Sequence, residues 1–369
     1  MRVLQVAPLW ETVPPPAYGG TEAVVSVLCE ALVRLGVDVT LCASGDSRTS
    51  ARLHTVYHRS LRTAEDLADA APYDWMHAAL SLREAQGYDL IHNHAGELPM
   101  AMSHLVDVPM LTTMHCLITP DTRFVWDRYR GWYNTISDAQ RRAMPPVRGG
   151  RFVGTVHNGI DVESFPFSAE KDDHLLFLAR IAPDKGTHLA IEVARRLGMR
   201  LLVAGKVDRA DQDYYRDVVE PLIDGEQVVF LGEADSARKR ELYRRAYCLL
   251  MPLCWDEPFG LVMAEAMACG TPVVAFARGG ASEIIVDGQT GYLVDDLDAM
   301  VEAVGKIERI DPVRCRRHVA EHFAPAVMAG GYLKAYRAIL DQTAKRRWLA
   351  PAPALPKVKD DDREAAAIA

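Results

Sequence analysis

No lysine precedes Lys171 in this chain of 369 residues. Up to residue 165, 14 arginines face 18 aspartates and glutamates, so the first half is not a broadly basic lobe. The whole chain carries a formal charge of −8 and a pI near 5.9, which excludes a surface built to neutralise nucleic-acid phosphates. Paired cysteines are lacking too: the seven, at 29, 42, 116, 248, 254, 269 and 315, are odd in number and contain no Cys-x-x-Cys. A disulfide framework or zinc knuckle is thereby excluded, and the expectation is a reduced, cytoplasmic protein whose cysteines are small buried hydrophobes. No apolar run approaches the roughly 20 residues that span a bilayer. The start, Met1 to Pro8, runs straight into Glu11 and Pro14-Pro-Pro16, so it reads as a first strand and not as a secretory signal. Neither Gly-x-Gly-x-x-Gly nor a P-loop occurs, which removes the main support for a nicotinamide or ATP site.

What is present is an alternation of short apolar runs with helical patterns, the arrangement of parallel sheets covered on both faces. In the first half, Val3 to Ala7, Val37 to Cys42, Leu90 to His92, Met110 to Met114 and Val153 to His157 read as strands, and Thr21 to Leu35 as a helix. The second half repeats the theme with strands at His174 to Leu178, Leu201 to Ala204, Val228 to Leu231, Cys248 to Met251 and Val273 to Phe276. Helices are expected near 187–197, 213–223, 236–246 and 261–269. Both halves therefore read as doubly wound α/β domains, 1–165 and 166–325. A helix at 326–349 and a Pro-rich, charged, disordered tail at 350–369 follow.

The densest chemistry lies in Glu257-Pro-Phe-Gly-Leu-Val-Met-Ala-Glu265 and its continuation to Phe276. Pro258 and Gly260 break the chain, helix-forming residues follow, and Gly270 stops them. Glu257 should precede a helix N-terminus and Glu265 lie within the helix, with the N–H groups of Phe259, Gly260 and Leu261 free to meet anionic or hydroxyl-rich groups. A surface helix with one acid in its first turns is the plain alternative. Arg180 and Lys185 follow an apolar strand on a turn with Pro183 and Gly186, where their charges could converge on one diphosphate. Gly19 and Gly20 sit between the first strand and first helix, where backbone could approach a phosphate.

The Glu257 segment resembles the Glu-x7-Glu signature of the retaining glycosyltransferases of family GT4, which have the GT-B fold. Gly279-Gly-Ala-Ser-Glu283 and the residues up to Val294 resemble that family's continuation, Leu178 to Gly186 its Arg…Lys-Gly diphosphate motif, and Tyr18-Gly-Gly-Thr-Glu22 its glycine loop. Together these matches cover roughly residues 1 to 345. The resemblance implies two Rossmann-like domains facing a central cleft, with the final helix packed back on the N-terminal domain. It implies a nucleotide-sugar donor held by the C-terminal domain and a hydroxyl acceptor, a small glycoside, lipid carrier or polysaccharide, held by the N-terminal one. Arg180 and Lys185 are implied at the donor phosphates, Glu265 at the ribose and Glu257 at the transferred sugar. His115, ending Leu111-Thr-Thr-Met-His115, resembles the family's strand-end histidine beside that sugar. No enzymatic nucleophile is implied, and no cofactor or metal, since the two cations would take the metal's part.

Other residues stay open. His94, Asn134 and Ser137 are candidates for the acceptor cleft, with helix capping the alternative for Asn134 and Ser137. His92-Asn-His94 has the spacing of a zinc pair, the basis of a rival reading as a metal-dependent hydrolase. A GT-B-like epimerase or phosphorylase is a second rival, and a non-catalytic binding module a third. Asp211-Gln-Asp213 is a formal Asp-x-Asp that precedes a helix, where acids serve as caps. Where many relatives carry Gly-x-Gly-Pro this chain has Ala204-Gly-Lys206, which points Lys206 toward a phosphate or base. Arg141, Arg142, Arg148 and Arg151 leave peripheral contact with an anionic membrane open, with a solvated loop the simpler reading. UDP-glucose is the working donor, followed by GDP-mannose.

Overall fold

A computed structural model describes residues 1–64 and 66–347; the tail expected from residue 350 lies outside them. Among the described residues thirteen strands form two sheets in which every pairing is parallel. The first contains β1 (Arg2–Val6), β2 (Asp38–Ala43), β3 (Arg52–Thr55), β4 (Leu90–Asn93), β5 (Met110–Thr113), β6 (Trp132–Thr135) and β7 (Arg151–Thr155), in the order β3-β2-β1-β4-β5-β6-β7. The second contains β8 (Leu175–Leu178), β9 (Leu201–Ala204), β10 (Val228–Phe230), β11 (Cys248–Met251), β12 (Val273–Phe276) and β13 (Gly291–Val294), ordered β10-β9-β8-β11-β12-β13. Each order reverses beside its first strand, so each sheet has a crevice at its strands' carboxyl ends, between β1 and β4 and between β8 and β11.

Most of the expected elements are found within a residue or two. Three strands were not foreseen: the polar edge strand β3, the short β13, and β6, whose Asn134 and Thr135 are fully buried. The helix expected at 213–223 is instead a helical turn at Gln212–Tyr214, a π segment at Tyr215–Val219 and a 3₁₀ turn at Glu220–Leu222. Pro221 accounts for the break, because it offers no N–H and crowds the carbonyl of Asp217.

The Pro325–Arg347 helix follows the second sheet in sequence yet packs on the first: Met328, Tyr332, Tyr336 and Ile339 join the core formed by Val3, Leu28, Leu41 and Leu90. Its tyrosines also end a buried polar chain. Gln5 Nε2 donates to the Tyr336 hydroxyl (3.0 Å), which lies 2.6 Å from His92 Nδ1; His92 Nε2 lies 2.6 Å from Thr113 Oγ1, and Thr113 donates to Asn134 Oδ1 (2.7 Å). Asn134 Nδ2 donates to the Tyr332 hydroxyl at 3.4 Å. Both nitrogens of His92 are thus taken by protein hydroxyls, and no cluster of three or more His, Cys, Asp or Glu suited to a metal occurs among the described residues. That corrects the zinc-pair reading of His92 and His94. Asn134, fully buried in this chain, is likewise not a wall of the cleft. Ser137 is the cap of the Asp138–Ala143 helix, its Oγ accepting from the Gln140 N–H at 2.9 Å.

The two sheet units touch across the cleft. Ser236 donates twice to Pro16 O (3.0 Å each), and Arg62 bridges Glu11 (2.6 Å) and Glu233 (2.5 Å). Glu283 accepts from the N–H groups of Asp138 (2.9 Å) and Ala139 (2.5 Å) at a helix N-terminus, and from His157 Nε2 (2.8 Å). Within the second unit, a Cβ on Gly279 (φ 56°) would sit 2.3 Å from Glu257 O, so glycine lets the loop before Glu283 pack on the Glu257 loop. No described helix is long and apolar enough to cross a membrane.

Replacing Tyr336 by Phe strands Gln5 Nε2 and His92 Nδ1 in the interior and should cost about 1–3 kcal/mol. Urea denaturation measures it, and an unchanged midpoint would show that the network is dispensable. Burial also holds His77 and His115 near a pKa of about 4 and His92 and His94 well below the usual imidazole range. The unfolded chain therefore takes up more protons at these sites as pH falls from about 6.5, and stability falls with it. Glu22, raised to about 7 by burial and by Glu11, acts oppositely, favouring the folded state at low pH and losing that contribution as pH rises through 7; Glu11, itself raised by burial, has the same sign. With His174, His188 and His318 also lowered by burial and Asp74 also raised, seven histidines outweigh three carboxyls, so the urea midpoint should be lower at pH 5 than at pH 7; an equal or higher value would contradict the balance.

Candidate active site

A cavity of about 470 Å³ lies where the carboxyl ends of both sheets meet. Its walls include Gly19 and Gly20 from the loop after β1, Arg180 and Lys185 after β8, Lys206 after β9, and Glu257 and Glu265 around the Leu261–Ala268 helix. Residues separated by as much as 246 positions, Gly19 to Glu265, thus share one wall. Gly19 has φ 139°, and a Cβ would come within 2.8 Å of Pro15, so the loop takes this shape only with glycine.

The charges are held in pairs. Lys185 Nζ donates to Glu257 Oε2 and sits 4.4 Å from the Trp255 ring centroid, while Trp255 Nε1 donates to the same oxygen at 3.0 Å. Glu257 Oε1 has no partner among the described residues and can accept from a hydroxyl. Arg180 donates to both oxygens of Asp184 (3.3 and 3.1 Å) and to Asp211 (3.2 Å), which orients its guanidinium. That contact also places Asp211 of the Asp-x-Asp; Asp213 pairs instead with Arg216 at 2.8 Å. Lys206 lies 2.6 Å from Asp208 and 4.8 Å from the Tyr18 ring centroid, a contact between the two units.

Glu265, 6% exposed, accepts from Lys239 Nζ (2.8 Å) and from the Tyr243 hydroxyl (3.0 Å). Sequence reasoning missed both. The signal was there, since Lys239 and Tyr243 are four apart on the Ser236–Arg245 helix and so share a face. The amides of Phe259, Gly260 and Leu261 have no backbone acceptor among the described residues. The Phe259 side chain points away from the cavity, buried against His157 and Phe323. Only its N–H is of use to a ligand.

His115 lies on a second cavity, of about 520 Å³, at the ends of β4 and β5. Its Nε2 is 2.9 Å from His94 Nδ1, and His94 Nε2 is 2.9 Å from Gln5 Oε1. Gln5 Oε1 can only accept, so His94 carries its proton on Nε2; neutral His94 then accepts at Nδ1 from His115 Nε2–H. Neutral His115 is left with a bare Nδ1, a hydrogen-bond acceptor. Gln5, another residue missed in the sequence, thereby sets the tautomer of His115 through His94. The two cavities adjoin: Gly20 lines the first and Thr21 the second.

The chemistry on offer is anion binding by oriented cations and N–H groups, beside carboxylates that accept from hydroxyls. Two family models fall on the chain in tandem: "Glycosyltransferase Family 4" matches residues 18–164 and "Glycosyl transferases group 1" residues 161–320. The chain is 28% identical over 350 residues to a glycogen synthase of Mycobacterium tuberculosis, with 79% of this chain and 81% of that protein covered. It is also 28% identical over 289 residues to a phosphatidyl-myo-inositol mannosyltransferase of Mycobacterium leprae, covering 70% and 75%. Among solved structures, a sucrose-phosphate synthase from Thermosynechococcus elongatus shares the fold with a TM-score of 0.74 at 21% identity, over 93% of this chain and all of that one. An Anabaena protein solved with UDP and glucose does so with a TM-score of 0.68 at 16% identity, over 92% of this chain and all of that one. With both of its sheet units matched in order, the chain belongs to the glycosyltransferases of family GT4, built on the GT-B fold.

Proposed function

We propose that this enzyme moves a hexose from a nucleoside diphosphate donor to a hydroxyl acceptor with retention at the anomeric carbon. The observation that carries the reading is the convergence of Arg180, Lys185, Glu257, Glu265 and the Gly19–Gly20 loop on one cavity. Arg180 and Lys185, with the N–H groups of Gly260 and Leu261, stabilise the charge that grows on the diphosphate as the C1–O bond breaks. They supply what a metal ion supplies in other transferases. Glu265, held by Lys239 and Tyr243, accepts from the ribose hydroxyls. Glu257 Oε1 and His115 Nδ1 accept from hydroxyls of the transferred sugar. The acceptor oxygen attacks C1 on the face the diphosphate leaves, and its proton passes to the departing phosphate oxygen. No side chain need become covalently attached. The contacts between the units at Tyr18, Pro16 and Arg62 keep water from the donor while the sugar is transferred.

UDP-glucose is the proposed donor. The Anabaena protein was solved in complex with UDP and glucose, which gives the guess its support. Donor binding draws Lys185 from Glu257 to the diphosphate.

Thermal shift with UDP-, GDP- and ADP-sugars, with and without EDTA, tests the donor reading, since a ligand of the folded state raises apparent stability. One nucleotide class should stabilise the protein, EDTA should leave that shift intact, and Lys185→Ala should diminish it. No shift with any nucleotide would contradict the reading. Arg180→Ala and Lys185→Ala should each weaken donor binding by roughly 10- to 100-fold, the range for a charge-assisted contact. Wild-type turnover in either variant would remove that residue from the phosphate site.

A further inference from the structure

The second cavity differs in chemistry from the first. Its wall holds two exposed tryptophans, Trp10 and Trp75, at 46% and 57% exposure, and two carboxylates, Asp74 and Glu97. Among the described residues no lysine or arginine lines it. The three histidines on it, His77, His94 and His115, are kept neutral by burial, so they add no positive charge at neutral pH.

The polar groups on this wall mostly accept. Glu97 uses Oε1 to take the buried Trp126 Nε1–H at 3.1 Å, which fixes the carboxylate and leaves Oε2 without a partner among the described residues. Asp74 makes no side-chain hydrogen bond or ion pair among them. His115 Nδ1, bare as the tautomer relay from Gln5 dictates, is assigned above to the transferred sugar and adds no positive charge to this wall. Such a wall suits a ligand rich in hydroxyl donors and repels an anion. The tryptophan faces offer flat apolar surface for the C–H face of a sugar ring. Consecutive residues, Gly20 and Thr21, line the donor cavity and this one, which sets a ligand here beside the first cavity.

We propose that this cavity is the acceptor subsite and that it takes an uncharged, polyhydroxylated acceptor, a sugar or glycan end, while excluding phosphorylated ones. This rests on the transferase reading above and deepens it. It separates the chain from relatives named D-inositol 3-phosphate glycosyltransferase, whose name carries a phosphorylated polyol.

Saturation-transfer NMR on the full chain tests it with matched probes: glucose, maltose and myo-inositol against glucose 6-phosphate and myo-inositol 1-phosphate, each with UDP present. At least one neutral probe should bind, its phosphorylated partner should bind about tenfold more weakly or not at all, and Trp10→Ala and Trp75→Ala should each weaken the neutral probe at least about fivefold. Both tryptophans are exposed, so the variants are expected to fold, and circular dichroism checks this. Equal or tighter binding of a phosphorylated probe overturns the proposal, as does neutral binding unaffected by both variants, or no neutral binding at all. UDP, GDP and ADP titrated alone by calorimetry read the donor cavity separately. Nucleotide binding without sugar binding sinks the acceptor inference and leaves the donor reading standing; sugar binding without nucleotide binding does the reverse.

Discussion

The ion pair between Lys185 and Glu257 sets the terms for the rest of the cleft. A site that stabilises a departing diphosphate needs cations in place before the donor arrives, and unpaired charge in a half-buried cleft is costly. This chain holds each cation against an acid: Lys185 on Glu257, Arg180 on Asp184 and Asp211, Lys206 on Asp208, Lys239 on Glu265. On the proposed function, a diphosphate entering the cavity would exchange one anionic partner for another, and the cations need not be built afresh. Glu257 keeps its second oxygen, Oε1, outside the pair, where the proposed sugar hydroxyl would meet it.

The opposite wall works by neutrality. From Tyr336 through Gln5, His94 and His115, each hydrogen bond fixes the direction of the next, and burial keeps the imidazoles uncharged. The Pro325–Arg347 helix matters here for more than apolar packing. It leaves the second sheet, crosses to the first and supplies the hydroxyl that orients Gln5. Chain connectivity thus ties the shape of the His115 wall to the unit that carries Arg180 and Lys185, and Glu283 ties them again through the Asp138–Ala143 helix.

Legibility in the sequence followed locality. Val273–Phe276 and Cys248–Met251 were readable to the residue, because both faces of a covered parallel strand are apolar. Trp132–Thr135 was not, because Asn134 and Thr135 look like loop residues until Thr113 and Tyr332 arrive from elsewhere in the chain to satisfy Asn134. The same distinction runs through the site. Gly19, Arg180, Glu257 and Glu265 stood in recognisable motifs, and the fold brings them to one cavity. The pairing of Lys185 with Glu257 spans 72 residues, and that of His94 with Gln5 spans 89, separations for which no spacing rule exists. Asn134 misled for the converse reason, since a short polar motif gives no sign of being consumed by buried hydrogen bonds, whereas the capping alternative for Ser137 is the one found.

The central claim is that one ligand is held from both sides of the cleft at once. Hydrogen–deuterium exchange with UDP, GDP and ADP measures this directly. The nucleotide that binds should slow exchange together in the Gly19–Gly20 loop of the first unit and in residues 180–186 and 257–262 of the second. Protection confined to one unit, or falling elsewhere, would contradict the account.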